Sequence, residues 1–374
     1  MSGAPPARQL PWIQVGRGVA AVLVVLTHAS LLAERNWDES FLGGRVALGA
    51  DVGVAFFFVL SGFIIVYIHA RDISQPDRAR SYATKRFTRI YPLYWVISVA
   101  LLPAYFLLPE YWADDEKGLA YLVKSFLLLP QESLPLLSVG WTLTHEVLFY
   151  VVFGLVVWLP RAAWIPIVGV LVGGTLVKFV ADWGAPRGGD RYFTSVTPLD
   201  NWELTSFLFS RFNLLFLAGC LVGLIVLRTR YRPPVALGVL GAAMLLVPML
   251  WPESSAGIMA FWTGTGNGLV LYWSVWAGLV VWVSATRPGA PAPRAGLALG
   301  DASYSLYLVH YPVLIVASLA LSRILPDSLS TGLVAQAVFA ALVAIGVLAG
   351  LACYRWLEQP LLARTRRSLA ARSS

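Results

Sequence analysis

Residues 15–30 read Val15-Gly16-Arg17-Gly18-Val19-Ala20-Ala21-Val22-Leu23-Val24-Val25-Leu26-Thr27-His28-Ala29-Ser30, and their reading decides the fold. As a helix, the segment from Trp12 to Leu32 is long enough to cross the ~30 Å hydrocarbon core of a bilayer. It nevertheless carries a permanently charged guanidinium and a titratable imidazole, eleven residues apart. At about 100° per residue that separation is three turns plus roughly 20°, so Arg17 and His28 share one face, about 16 Å apart along the axis. Ionisable groups at membrane depth are costly and usually line a cavity or pathway. A blander reading has Arg17 snorkelling to the headgroups and His28 hydrogen-bonded to a neighbouring helix. The shared face, with small Gly18, Ala20 and Ala21 letting other helices approach, favours a site.

The rest of the composition places that helix in a larger bundle. A length of 374 residues is compatible with two soluble domains, but 58% hydrophobic and only 13% charged residues are not. A mean hydropathy of +0.69 points to a polytopic helical membrane protein. The two cysteines, Cys220 and Cys353, lie in apolar runs without metal-ligand spacing or a disulfide framework. They read as packing residues, and no metal site is expected. One basic residue, Arg8, precedes the first span, which is charged and longer than a signal-peptide core. A retained first helix is therefore expected. The net charge of +8 raises nucleic acid or anionic lipid as partners, and its distribution along the chain excludes nucleic acid.

Apolar runs fall near 12–32, 50–69, 91–109, 138–159, 162–180, 207–227, 233–250, 265–285, 299–320 and 332–353. With the N-terminus in the cytoplasm, nineteen of the 28 Lys and Arg lie on inside segments, six of them in 71–89. That bias sets orientation. The expectation is an all-α, polytopic integral membrane bundle of about ten transmembrane helices, N-in and C-in, in the plasma (inner) membrane. Residues 361–374 form a short basic cytoplasmic tail suited to anionic headgroups, and no fused soluble domain is expected. The outside stretches 110–137 and 181–206, with Ala113–Gly118 and Asp182–Phe193, read as a solvated cap or as a surface for a polyhydroxylated ligand. Without an internal repeat, a transporter built on inverted repeats is weakened.

Three further stretches carry chemistry. In Lys85-Arg86-Phe87-Thr88-Arg89-Ile90-Tyr91-Pro92-Leu93-Tyr94-Trp95, Arg86 and Arg89 are three apart and point to one side of a helix. Paired guanidiniums suit a phosphate or pyrophosphate, because each donates two parallel hydrogen bonds. The alternative is a positive-inside anchor. Pro92 fits the first turn of span three, and Tyr91, Tyr94 and Trp95 fit an aromatic belt. In Val139–Tyr150, Glu146 lies about 12 Å below the outer surface. His28 reaches a similar depth from the inside, so an acid and an imidazole can cooperate in general base catalysis. Alternatively, Glu146 only balances an arginine. In Gly300–Pro312, Asp301 looks like an N-cap, while Ser303, Tyr307 and His310 give span nine a polar stripe, with His310 an interhelical hydrogen bonder or a catalyst. Pro312 frees a backbone carbonyl. Small residues in Gly53–Phe63 allow a backbone or a thin ligand arm to approach. Arg355 and Glu358 are spaced to pair.

Taken together these stretches resemble the membrane acyltransferase-3 family. The resemblance rests on Arg17-Gly18-Val19-Ala20 with His28 following, Phe56–Phe63, Arg86–Trp95, Trp141–Tyr150, Ser303–His310 and Glu358-Gln359-Pro360. The stretches occur in family order over nearly the whole chain, which makes 1–360 one acyltransferase-3 transmembrane domain. Gly140–Tyr150 is most similar to the exopolysaccharide O-acetyltransferase branch. Asp301 stands where relatives often carry Glu, which leaves its role open. The resemblance implies transfer of an acyl, usually acetyl, group from cytoplasmic acyl-CoA to a hydroxyl of an extracytoplasmic or lipid-linked glycan. Acyl-CoA is then a donor substrate, with no permanently bound cofactor. Arg86 and Arg89, with Arg17, would hold the CoA phosphates. His28 would act as general base or brief acyl carrier, with Glu146 positioning it or the acceptor, and Ser303, Tyr307 and His310 in support. Two other functions remain open from sequence: O-acylation of a secreted glycoside such as a macrolide sugar, and glycan or anion transport without acyl transfer.

Overall fold

The computed structural model describes residues 10–37, 49–109, 112–183, 203–250, 266–325 and 333–371. Among these the regular structure is entirely helical, the form that satisfies every backbone group inside lipid without a partner strand. The helices are α1 (Pro11–Trp37), α2 (Gly49–His69), α3 (Pro76–Leu107), α4 (Leu119–Leu127), α5 (Trp141–Trp158), α6 (Arg161–Ala181) and α7 (Glu203–Leu208). They continue as α8 (Asn213–Arg228), α9 (Val235–Leu250), α10 (Gly266–Ala285), α11 (Arg294–Asp301), α12 (Ser303–Ile324) and α13 (Leu333–Cys353). A π-helical turn (Tyr354–Glu358) then leads into α14 (Gln359–Ala371).

All ten apolar runs are helical. Among the described residues, eight helices are long and apolar enough to cross a membrane, and Asn213–Arg228 and Val235–Met249 are shorter apolar helices. The run at 207–227 is broken at Ser210: its hydroxyl accepts from the Phe212 amide, and Asn213 Nδ2 reaches back 2.6 Å to the Leu208 carbonyl. Local side-chain bonds of this kind compete with helical ones and end a helix.

The described residues gather into two compact units, one drawn from Met1–Phe57, Arg230–Pro252 and Leu279–Ser374, the other from Phe58–Thr229 and Glu253–Gly278. In the first unit, α1 packs against α12 and α13 through Ala21, Val25, Ala29, Leu306, Leu314 and Leu342. Small residues likewise bring α1 close to α11. A Cβ on Gly300 would sit 2.0 Å from the Gln14 carbonyl oxygen, and one on Gly18 would sit 2.8 Å from the Gly300 amide. In lipid, where association depends on van der Waals contact rather than on water exclusion, such close backbones favour helix association. In the second unit, α2 crosses α8 at Gly62 and Gly219, where added Cβ atoms would lie 2.0 Å from the Phe216 oxygen and 1.9 Å from the Val59 oxygen. A helix, not a ligand arm, fills that gap. Tyr82 of α3 packs with Phe153 and Val157 of α5 and Ile65 of α2.

Four expectations are corrected. Helix α3 begins at Pro76, not near Tyr91, with proline at its start and Asp77 in its first turn. Both suit a helix N-terminus. The stretch read as an inside loop is thus largely the polar half of a long helix, and Pro92 lies inside it. Tyr91, Tyr94 and Trp95, read as belt residues, turn their polar atoms into the protein. Their Oη, Oη and Nε1 donate to the carbonyls of Leu127, Ser125 and Phe126 at 2.9, 2.6 and 2.8 Å. Those are the carbonyls a helix leaves open at its C-terminus. The helix so capped, α4, lies in the stretch read as a solvated cap, and it buries Tyr121 and Ser125 while exposing Leu119, Val123 and Leu127. Asp114–Glu116 does form an exposed polar turn there, whereas 184–202 lie outside the described residues. Lastly, Asp301 is not an N-cap: it ends α11, and Ala302 precedes α12 without a side-chain cap.

Candidate active site

In the first unit the helical spacing of α1 brings Arg17 and His28 onto the face that meets α11 and α12. The Arg17 guanidinium donates to Gln14 Oε1 at 3.2 Å, and Gln14 Nε2 donates to Asp301 Oδ1 at 2.7 Å. Asp301 therefore faces α1, and its carboxylate is not turned to the start of α12. Three turns along, His28 Nδ1 lies 2.9 Å from the Val24 carbonyl oxygen and 3.3 Å from His310 Nε2. The two imidazole rings are 5.0 Å apart, and Tyr311 meets His28 edge-on at 4.8 Å. Ser303, Tyr307 and His310 are buried in one stripe of α12. Proline 312 lies within α12, which continues through it to Ile324. At the end of the same unit, Ser305 donates 2.6 Å to Glu358, a buried carboxylate at the π turn. Glu358 thus takes a partner from α12, while Arg355 is exposed.

The second unit holds the carboxylate. Ser61 Oγ donates to Glu146 Oε1 at 2.8 Å, and Tyr150 Oη donates to the same oxygen. The Arg86 guanidinium lies over the Tyr150 ring, 5.5 Å from its centroid, and Arg86 Nη2 is 3.5 Å from His69 Nε2. His69 Nδ1 in turn donates to Asp72 Oδ2 at 2.7 Å. Anion and cation are therefore balanced through a hydroxyl and an imidazole, as a low-dielectric interior requires. Arg89, half-buried, sits one turn beyond Arg86 on α3.

His28 and His310 thus come together within one unit; Glu146 and Arg86 do so within the other. His28 and Glu146 belong to different units. Sequence reasoning missed His69, Asp72, Tyr150, Ser61, Gln14 and Tyr311. Three of these had a readable signal, since His69 and Asp72 are three apart at the end of an apolar run and Tyr150 is four beyond Glu146. Among the described residues no group of three or more His, Cys, Asp or Glu could hold a metal ion. Each unit thus has its own titratable cluster, a buried imidazole pair in the first and a hydroxyl-bound carboxylate in the second, and both kinds of group can move or orient protons.

These features define a multi-pass helical membrane protein with titratable groups inside its spans. Residues 10–355 match the sequence model of the acyltransferase-3 family, described as an acyltransferase domain, and the chain belongs to that family. It is 30% identical over 345 residues, 87% of this chain and 93% of the relative, to the exopolysaccharide production protein ExoZ of Rhizobium meliloti (strain 1021). It is also 30% identical over 201 residues, 48% of this chain and 98% of the relative, to protein 2 in the picA locus of Rhizobium radiobacter. No solved structure matches the chain.

Proposed function

We propose that this protein is an inner-membrane O-acyltransferase that moves an acetyl group from cytoplasmic acetyl-CoA to a hydroxyl of an exopolysaccharide or its lipid-linked precursor. The observation that carries this reading is His28, turned into the α1–α12 seam of an acyltransferase-family chain rather than out to lipid. The name of the ExoZ relative supports the acceptor class. The Lys and Arg distribution supports an N-in, C-in arrangement, which puts the arginine-rich part of α3 towards the cytoplasmic donor.

In this reading Arg17, Arg86 and Arg89 meet the CoA phosphates. A guanidinium carries five N–H donors, so the contact of Arg86 with His69 does not exhaust it. His28 takes the proton of the attacking hydroxyl, or carries the acyl group briefly, and Glu146 orients the acceptor. Acetyl-CoA enters and leaves as a substrate, and the chain holds no permanent cofactor. The test is purified protein in nanodiscs with radiolabelled acetyl-CoA and the lipid-linked saccharide. Alkali-labile label on the saccharide is expected. Label that never leaves acetyl-CoA while the saccharide is moved across the membrane contradicts the reading and favours a transporter.

A further inference from the structure

Two backbone carbonyls determine where the protons sit on the paired imidazoles. A carbonyl oxygen only accepts, so a nitrogen 2.9 Å from one must carry hydrogen. His28 Nδ1 is 2.9 Å from the Val24 oxygen, and His310 Nδ1 is 2.9 Å from the Leu306 oxygen. A neutral imidazole has one N–H. Each ring is then protonated on Nδ1 and bears its lone pair on Nε2.

The remaining contact fits this assignment and no other neutral one. His310 Nε2, a lone pair, lies 3.3 Å from His28 Nδ1, which carries the proton. Reversing it would set the His28 Nδ1 lone pair against the Val24 oxygen. Protonating His310 on both nitrogens would place a cation at a fully buried position. Among the described residues, the titratable side chains against the pair are Tyr307 and Tyr311, and neither is a carboxylate. An unpaired charge in that setting is costly.

We infer that His310 is a positioning residue for His28: its Nε2 accepts the Nδ1 proton of His28 and leaves His28 Nε2 as the nitrogen that meets the acceptor hydroxyl. The inference rests on the acyl-transfer reading above. As the hydroxyl oxygen bonds to the thioester carbonyl carbon, its proton passes to His28 Nε2. The carbon–sulfur bond breaks, and the thiolate leaves and takes that proton back. Between the two transfers His28 is an imidazolium whose Nδ1–H is shared by the Val24 oxygen and His310 Nε2. His310 touches no reacting atom.

The test uses the full chain in nanodiscs with histidines labelled in 15N. The chain has 4 histidines, so His28→Gln identifies the His28 signals. In the otherwise unaltered protein, His28 should show a protonated Nδ1 and a bare Nε2. His310→Leu, which fills the space without accepting, should lower kcat for acetyl transfer about 10- to 100-fold, the range for losing one hydrogen bond to a charged group. The KM for acetyl-CoA should stay within about 2-fold. His310→Gln, which can present an oxygen where Nε2 stood, should recover most of the lost kcat. A role in packing alone predicts equal kcat for the leucine and glutamine variants, and that result, or a His28 protonated on Nε2, overturns the inference. Failure of the acyl-transfer reading looks different: the wild type makes no ester or His28→Gln still does, while the 15N signals continue to report the tautomer.

Discussion

The α1–α12 seam and the α2–α3–α5 cluster both bury ionisable groups, and they do so in opposite ways. In the seam, imidazoles meet backbone carbonyls and each other, so each can remain uncharged and His28 keeps its Nε2 lone pair available. In the cluster, Glu146 receives two hydroxyl donors, and Arg86 meets Asp72 through His69 and Glu146 through Tyr150. A neutral base kept bare is poised for proton transfer. A charge network satisfied on several sides is poised to hold geometry. Under the proposed function, the contrast gives chemistry to the first region and orientation to the second.

Removing one histidine from each region in turn should separate them most widely. His28→Ala should reduce acetyl transfer by at least about 100-fold, the contribution expected of a general base. His69→Ala should act mainly on the KM for acetyl-CoA, through the loosened Arg86, with kcat within about 3-fold. Equal loss of kcat in both would erase the distinction. Next, Glu146→Gln keeps an acceptor for Ser61 and Tyr150 but removes the charge. A fall in kcat of about 10-fold, with the protein still folded, is expected from single-turnover assays, as befits a group that orients rather than reacts.

Two smaller effects probe what holds each region together. Gly219→Ala forces a Cβ against the Val59 oxygen at the α2–α8 crossing, and it should cost roughly 1–3 kcal/mol by detergent or thermal unfolding. Gly300→Ala, against the Gln14 oxygen, should cost a similar amount in the other unit. Arg89→Ala should raise the KM for acetyl-CoA by about 5- to 10-fold and leave kcat nearly unchanged, the signature of a phosphate contact made equally in ground and transition states.

The helical period made the seam legible from both sides: Arg17 and His28 share a face of α1, and Ser303, Tyr307 and His310 follow one stripe of α12. That the two stripes meet was not legible, because 282 residues separate His28 from His310 and periodicity says nothing of partners so distant. Hydropathy found the lipid-level half of α3 and missed the half from Pro76, since arginine, lysine and threonine suit a helix outside lipid as well as a loop. It likewise passed over α4, whose nine residues are too few to register as a span. Asp301 was misread for a related reason. An aspartate before a helix signals a cap only when nothing nearer claims it, and Gln14 of α1 does.

The central claim is that His28 Nε2 is an accessible, unprotonated base facing the acyl donor. Diethyl pyrocarbonate acylates such a nitrogen, so the direct measurement is its site of attack, read by peptide mass spectrometry alongside residual transferase activity. The account predicts carbethoxylation of His28 in step with loss of activity, with acetyl-CoA protecting both and His310 unmodified. Activity lost while His28 stays unmodified, or His28 modified with activity intact, would contradict it.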